Sequence, residues 1–161
     1  MGFQLEDTIM INLTNYGQAV AGIVIRENKV LLARHTYGAG KGKLIIPGGY
    51  VNKGETPQQA VIRELFEETG ITVKPTCIVG IRFNTHDWYV VFSADYISGI
   101  AQSEGNENNE VLWIDINEIE SRDDVPELTK KLVCSVCKHN NNLTYTSYEG
   151  NAKHAPYSLY C

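Results

Sequence analysis

The sequence predicts an α/β domain, and three observations predict it. Apolar runs of strand length recur along the chain, first as AVAGIVI at 19–25 and VLLA at 30–33. The segment 57–69 carries helix signals at both ends. A second segment, 125–138, spaces Leu128, Leu132, Val133 and Val136 as a helix with one buried face requires. At 161 residues the chain is long enough for one domain with a sizeable core.

Taken in order, the runs at 19–25 and 30–33 flank a turn at Glu27, Asn28 and Lys29, and read as a hairpin buried on both faces. Residues 36–43, TYGAGKGK, are rich in Gly and Lys and read as a loop. Leu44, Ile45 and Ile46 make a short strand that Pro47, Gly48 and Gly49 stop. For the helix at 57–69, Thr56 is the N-cap, Pro57 suits the first position, Gln59 completes a capping box and Gly70 ends it. Strands are expected near 77–83, 88–97 and 111–114. Asp124 and Glu127 are placed to cap the last helix, which Asn140, Asn141 and Asn142 end. This divides the chain into a domain over 1–139 and a C-terminal tail over 140–161. The tail is polar, rich in Asn and Tyr, and either loose or packed on a neighbour.

Composition narrows the function classes. No apolar run approaches the roughly 18–20 residues that span a bilayer, so no membrane partner is expected. Met1 to Met10 carries Glu6 and Asp7 and lacks a basic segment followed by an apolar one, which predicts no secretory leader and a cytoplasmic location. With a net charge of −5 and no basic stripe among 14 Lys and Arg, long nucleic acid is not an expected partner. A small anionic ligand stays compatible if a metal supplies the positive charge. The cysteines, Cys77, Cys134, Cys137 and Cys161, do not form a disulfide framework. Cys134 and Cys137, with His139 nearby, fall short of four zinc ligands and read as small core residues on one helical face.

The chemistry concentrates in the helix at 57–69. Glu64, Glu67 and Glu68 stand at i, i+3 and i+4, which places three carboxylates on one face. Like charges so spaced repel, and Arg63 alone cannot neutralise three. Either the face is a solvated acidic surface, or a divalent cation bound through oxygen sits among them. The context favours the cation: the acidic face follows a strand, a Pro-Gly-Gly break and a short loop holding Glu55, which can fold back towards Arg63 and Glu67.

Residues 49–71, GYVNKGETPQQAVIRELFEETGI, resemble the Nudix box at every defined position: Gly49, Glu55, Arg63, Glu64, Leu65, Glu67, Glu68, Gly70 and Ile71. The resemblance implies the Nudix fold, a curved mixed β-sheet sandwiched between α-helices, for a hydrolase domain over 1–139. It implies Mg2+ as cofactor, with Mn2+ a possible substitute, held by Glu64, Glu67 and Glu68, with Glu64 and Glu67 also catalytic. It implies that Arg63 pairs with Glu55 to brace the loop, that Gly48 and Gly49 make the tight turn beside the phosphates, and that Gly70 leaves the helix with positive φ. Pyrophosphate cleavage needs cations on the non-bridging oxygens and an activated in-line water, so no Ser or Cys nucleophile is required.

Members of the family often add an acid from outside the box. Glu110, three residues before Trp113 at the mouth of a strand, is the first candidate, ahead of Glu107 and Glu104. Arg34, Lys41 and Lys43 before Pro47, and Arg82 and His86 after the box, either contact substrate or are surface charges. Leu44 stands where many relatives have Trp. Tyr89 stands where dinucleoside-polyphosphate hydrolases have a Tyr, and it is equally natural as sheet packing. The expected activity is hydrolysis of the pyrophosphate in a nucleoside diphosphate linked to another moiety, a small-molecule nucleotide substrate. ADP-ribose or another NDP-sugar comes first, nucleoside triphosphates, oxidised ones included, second, and dinucleoside polyphosphates third. A homodimer is compatible with the sequence. The rival class is a non-catalytic nucleotide-sensing Nudix domain. Such a domain is expected to lose box acids, and here all are present.

Overall fold

The computed structural model describes residues 17–138, 143 and 145–161. The expectations made at Met1 to Met10, at His139 and at the Asn140–Asn142 stop lie outside the described residues.

Alternation along the strands splits the core into two layers. The strands are β1 (Gly17–Ile23), β2 (Ile25–Arg26), β3 (Lys29–His35), β4 (Leu44–Ile45), β5 (Gly48–Tyr50), β6 (Ile71–Phe83), β7 (Asp87–Gly99), β8 (Asn108–Asp115), β9 (Tyr145–Thr146) and β10 (Ser158–Tyr160). The helices are α1 (Pro57–Thr69) and α2 (Glu127–Cys137). Val20, Val24, Leu31, Phe92 and Ala94 pack with Ala60, Val61 and Leu65 of α1. Their strand neighbours Ala21, Ile23, Val30, Leu32 and Val91 pack on the other side with Leu132 and Val133 of α2. A strand that alternates between two apolar layers is apolar at every position, which is why 19–25 and 30–33 read as continuous runs.

The strands form a six-stranded sheet, in the order β5-β1-β7-β6-β10-β9, and a smaller sheet in which β3 pairs with β2, β4 and β8. β1 and β7 run parallel and the other pairs antiparallel, so the structure is the mixed sheet with flanking helices that was expected. Helix α1 matches its predicted bounds, with the Thr56–Gln59 capping box present and Gly70 at φ 73° as a left-handed C-cap. Among the described residues no helix is long and apolar enough to cross a membrane.

Several local expectations are corrected. The run at 19–25 is not one arm of a hairpin with 30–33: β1 pairs with β5 and β7, and only the short β2 pairs with β3. Gly48 and Gly49 do not merely end a strand but form β5 against Ala21 and Val20. A Cβ at Gly48 would overlap the Val20 carbonyl, so the pairing needs glycine there. Asp124 does not cap α2, whose N-cap is Pro126, because its carboxylate is taken by Arg122 and Arg34. Cys134 and Cys137 are not core residues. Cys137 is exposed and Cys134 donates from Sγ to Glu120 Oε1 at 3.1 Å, its thiol pushed up to about 11 chiefly by burial.

For the tail, which the sequence leaves open between loose and packed, the structure shows packing. Residues 145–161 are not loose: β10 adds to β6, with Leu159 opposite Arg82, and β9 adds to β10. Leu159 is fully buried in the layer that holds Leu132. One apolar residue between polar neighbours in a three-residue strand shows no period, so the sequence hid it. Leu159→Ala is expected to cost about 2–5 kcal/mol in denaturant unfolding. A cost below about 1 kcal/mol would mean that the tail is not part of the core.

Candidate active site

Helix α1 sets the register of the acidic face. Its apolar stripe, Ala60, Val61 and Leu65, must face the sheet, which turns Glu64, Glu67 and Glu68 towards β5 and the open end of the structure. Glu68 is only 3% exposed and accepts from the Gly48 N–H at 3.1 Å. A Cβ at Gly49 would collide with the Glu64 carboxylate, so β5 lies directly against the acidic face. Burial pushes the Glu68 carboxyl up to about 8 against the pull of the Gly48 N–H, and Glu64, Glu107 and Glu104 add to the rise. Glu64 is raised too, by burial first, with Arg63 opposing.

Arg63 is the hub of the loop before the helix. It holds Glu55 with two parallel bonds, Nε to Oε1 at 2.8 Å and Nη2 to Oε2 at 2.9 Å. It also reaches Glu64 at 2.6 Å, Glu67 at 3.1 Å and the Tyr50 carbonyl at 3.0 Å. Arg63, helped by the Asn52 N–H, holds the Glu55 carboxyl well below the usual range, at about 2. Because Arg63 serves three carboxylates, exchanging the charges of 55 and 63 would put a third acid beside Glu64 and Glu67 and take away the cation that holds them. The charge-swapped protein is therefore expected to melt below either single variant. Glu55→Gln with Arg63→Gln should instead show strong coupling in a cycle of melting temperatures, and additive losses would show that the pair contributes nothing.

Glu110, the outside acid the sequence favoured, does not line the cavity, whereas Glu104 and Glu107 do. Glu110 shares a strand face with Leu112 and Ile114, which pack towards α2, and its Oε2 takes the Arg34 Nε at 2.6 Å. A bulge at Asn109 flips the strand, so Asn108 points to α1 and donates to the Glu68 carbonyl at 2.9 Å. The loop just before it brings Glu104 and Glu107 to the cavity in place of Glu110. Glu104 spends its carboxylate on the backbone N–H groups of Asn106, Glu107 and Asn108, which shapes the loop. Glu107 stays directed at the cavity, with the Tyr37 hydroxyl 3.4 Å from its Oε2.

The cavity holds about 870 Å³, within the range of ligand sites. It is lined by Glu64, Glu67, Glu68, Glu104 and Glu107 with Gly48 and Gly49, and elsewhere by Tyr50, Arg82, Asp87 and Tyr89. Arg34 and Lys43 do not line it. Arg34 is bound to Glu110 and Asp124, and the Lys43 ammonium donates to the Asp123 carbonyl at 2.9 Å. The reason is strand parity. Arg34 follows Val30 and Leu32 towards α2, while His35 follows Leu31 towards α1 and lines the cavity with a buried Nε2 that has no hydrogen-bond partner among the described residues. Reading β3 as alternating from Leu31 would have selected His35. Tyr37, Tyr50 and Asp87 carried no sequence signal, because their place depends on which strands meet.

Among the described residues no three side chains stand ready as a metal-binding group, since Arg63 holds Glu64 and Glu67. The donor chemistry nevertheless fits a hard divalent cation. The candidate ligands Glu64, Glu67 and Glu68 offer carboxylate oxygens, and among the described residues no cationic side chain is bonded to the buried Glu68.

Comparison with known proteins agrees with this geometry. A NUDIX domain family model matches residues 15–135. The chain is 35% identical over 107 residues to an ADP-ribose pyrophosphatase of Methanocaldococcus jannaschii, covering 63% of each chain. It is 31% identical over 117 residues to the NAD-capped RNA hydrolase NudC of Vibrio atlanticus, covering 68% of this chain and 41% of that one. It therefore spans less than two thirds of the length of these relatives. The crystal structure of a MutT protein from Methanosarcina mazei Go1 superposes with a TM-score of 0.66 at 26% identity, over 78% of this chain and 96% of that one. With a family match over most of its length, the box at 49–71 and a mixed sheet between two helices, this chain belongs to the Nudix family.

Proposed function

We propose that the protein is a magnesium-dependent pyrophosphohydrolase that cuts the P–O–P bond of a nucleoside diphosphate joined to a second group, ADP-ribose or another NDP-sugar first. The observation that carries this reading is the cluster of box glutamates and Glu107 around one nucleotide-sized cavity. The similarity to the ADP-ribose pyrophosphatase of Methanocaldococcus jannaschii supports the choice of ADP-ribose.

Glu64, Glu67 and Glu68 would hold the metal, with Mn2+ as a substitute. Bound there, a divalent cation would supply charge neutralisation for the diphosphate and would lower the pKa of a water. The chain's own groups do the rest. Gly48 and Gly49, lacking side chains, leave room for phosphate beside the acidic face. Glu107 accepts the proton of the attacking water, and Tyr37 steadies its carboxylate. Arg63 and Glu55 keep the loop on the helix and take no proton. Residues 145–161 belong to the same domain as the box and buttress β6 from its far side.

The test is a panel of ADP-ribose, NDP-sugars, nucleoside triphosphates and dinucleoside polyphosphates, with and without Mg2+, read by product identity. AMP and ribose 5-phosphate from ADP-ribose, only with metal, is the expected result. Pyrophosphate release from triphosphates alone would overturn the substrate, and no cleavage of any member would overturn the activity.

A further inference from the structure

We infer that the end of the cavity away from the glutamates is a nucleobase site that selects adenine through the carboxylate of Asp87, with Tyr50 as the stacking surface. The inference rests on the reading above and names the base that such a substrate carries.

Four neighbouring strands build this end as a row on one sheet face. Ala19 of β1 stands opposite Tyr50 of β5 and Tyr89 of β7, Gly17 stands opposite Asp87, and Arg82 of β6 stands opposite Tyr89. The two β1 positions are a glycine and an alanine, so the row dips at β1, between Tyr50 on one side and Tyr89 with Asp87 on the other. A side chain added at Gly17 would meet the Tyr50 ring at 2.9 Å and the Asp87 Cβ at 3.3 Å, so ring and carboxylate flank one glycine. Tyr50 is 54% exposed although it lines a cavity, which leaves its ring open to a planar ligand.

The polar groups here are underused. Asp87 is 8% exposed. Arg82 Nη1 lies 2.7 Å from its Oδ1 as an ion pair, yet among the described residues neither Asp87 Oδ1 nor Arg82 Nε has a partner with hydrogen-bond geometry. Buried polar atoms in that state call for a ligand that completes them. A carboxylate only accepts and a guanidinium only donates. The pair therefore fits a base edge with an amino donor beside a ring-nitrogen acceptor, as adenine presents with N6 and its neighbouring ring nitrogen. Hypoxanthine puts a carbonyl oxygen where the amino group was, facing the carboxylate.

Equilibrium titration of the full chain with ADP and with IDP tests this without needing turnover. The wild type is expected to bind ADP at least about tenfold more tightly than IDP. Asp87→Asn should narrow that ratio to within about threefold, because the amide of Asn can turn a donor to the carbonyl. Tyr50→Leu, at an exposed position that spares the fold, should weaken both ligands at least about fivefold and leave their ratio alone. Equal binding of ADP and IDP by the wild type, an unchanged ratio in Asp87→Asn, or unaltered affinity in Tyr50→Leu would each overturn the proposal. If no nucleotide is hydrolysed while these ratios hold, the base site stands and the hydrolase reading falls.

Discussion

Glu67→Gln and Glu68→Gln are each expected to lower kcat about 10³-fold at saturating magnesium, as removal of one charge from a metal clamp does. The two losses should come with different stabilities, and that difference separates chemistry from folding. The Glu67 side chain is 56% exposed and, among the described residues, is bonded only to Arg63, so its amide should leave the melting temperature nearly unchanged. Glu68 is buried, and its carboxyl is pushed up to about 8, which means that folding works against its charge. A Gln at 68 can still accept from Gly48 and removes that charge, so the metal-free variant should melt at or above the wild type. An inactive protein that is as stable as its parent or more so is what a functional site under electrostatic strain produces. Near-normal turnover in both variants would remove the glutamates from the mechanism.

Glu107→Gln is expected to lower kcat by about 10²-fold or more, the usual contribution of a positioned base, with little change in KM. Glu110→Gln should leave kcat close to wild type. Its effect should appear in stability instead, because Arg34 loses its 2.6 Å partner, and for so exposed a pair the loss should not exceed about 1 kcal/mol. Steady-state kinetics and thermal melts on the two variants decide the matter. A crippled Glu110→Gln beside an active Glu107→Gln would mean that the strand runs without the bulge at Asn109. If both keep wild-type kcat, the proton acceptor lies within the box, and Glu64 is the remaining candidate.

The box was legible because its physics is local. Capping at Thr56, the stop at Gly70 and the common face of Glu64, Glu67 and Glu68 all follow from helix geometry within one segment. The apolar runs at 19–25 and 30–33 likewise announced strands covered on both sides. Residues outside the box were harder because their facing depends on parity, and parity is lost at a bulge. One extra residue at Asn109 turns Glu110 away from the cavity and leaves Glu107, in the preceding loop, to line it.

The sequence by itself determined the family and the acidic helix, and it pointed to the class of bond proposed here, since each rests on spacings within some twenty residues of chain. Only the tertiary structure decided that β1 leaves its apparent hairpin partner for β5 and β7, that the tail returns as β9 and β10 beside β6, and that Tyr50, Arg82 and Asp87 meet in one cavity. Strand pairing over such distances is set by the burial of both sheet faces at once. No local pattern encodes which runs will be neighbours when every run is equally apolar.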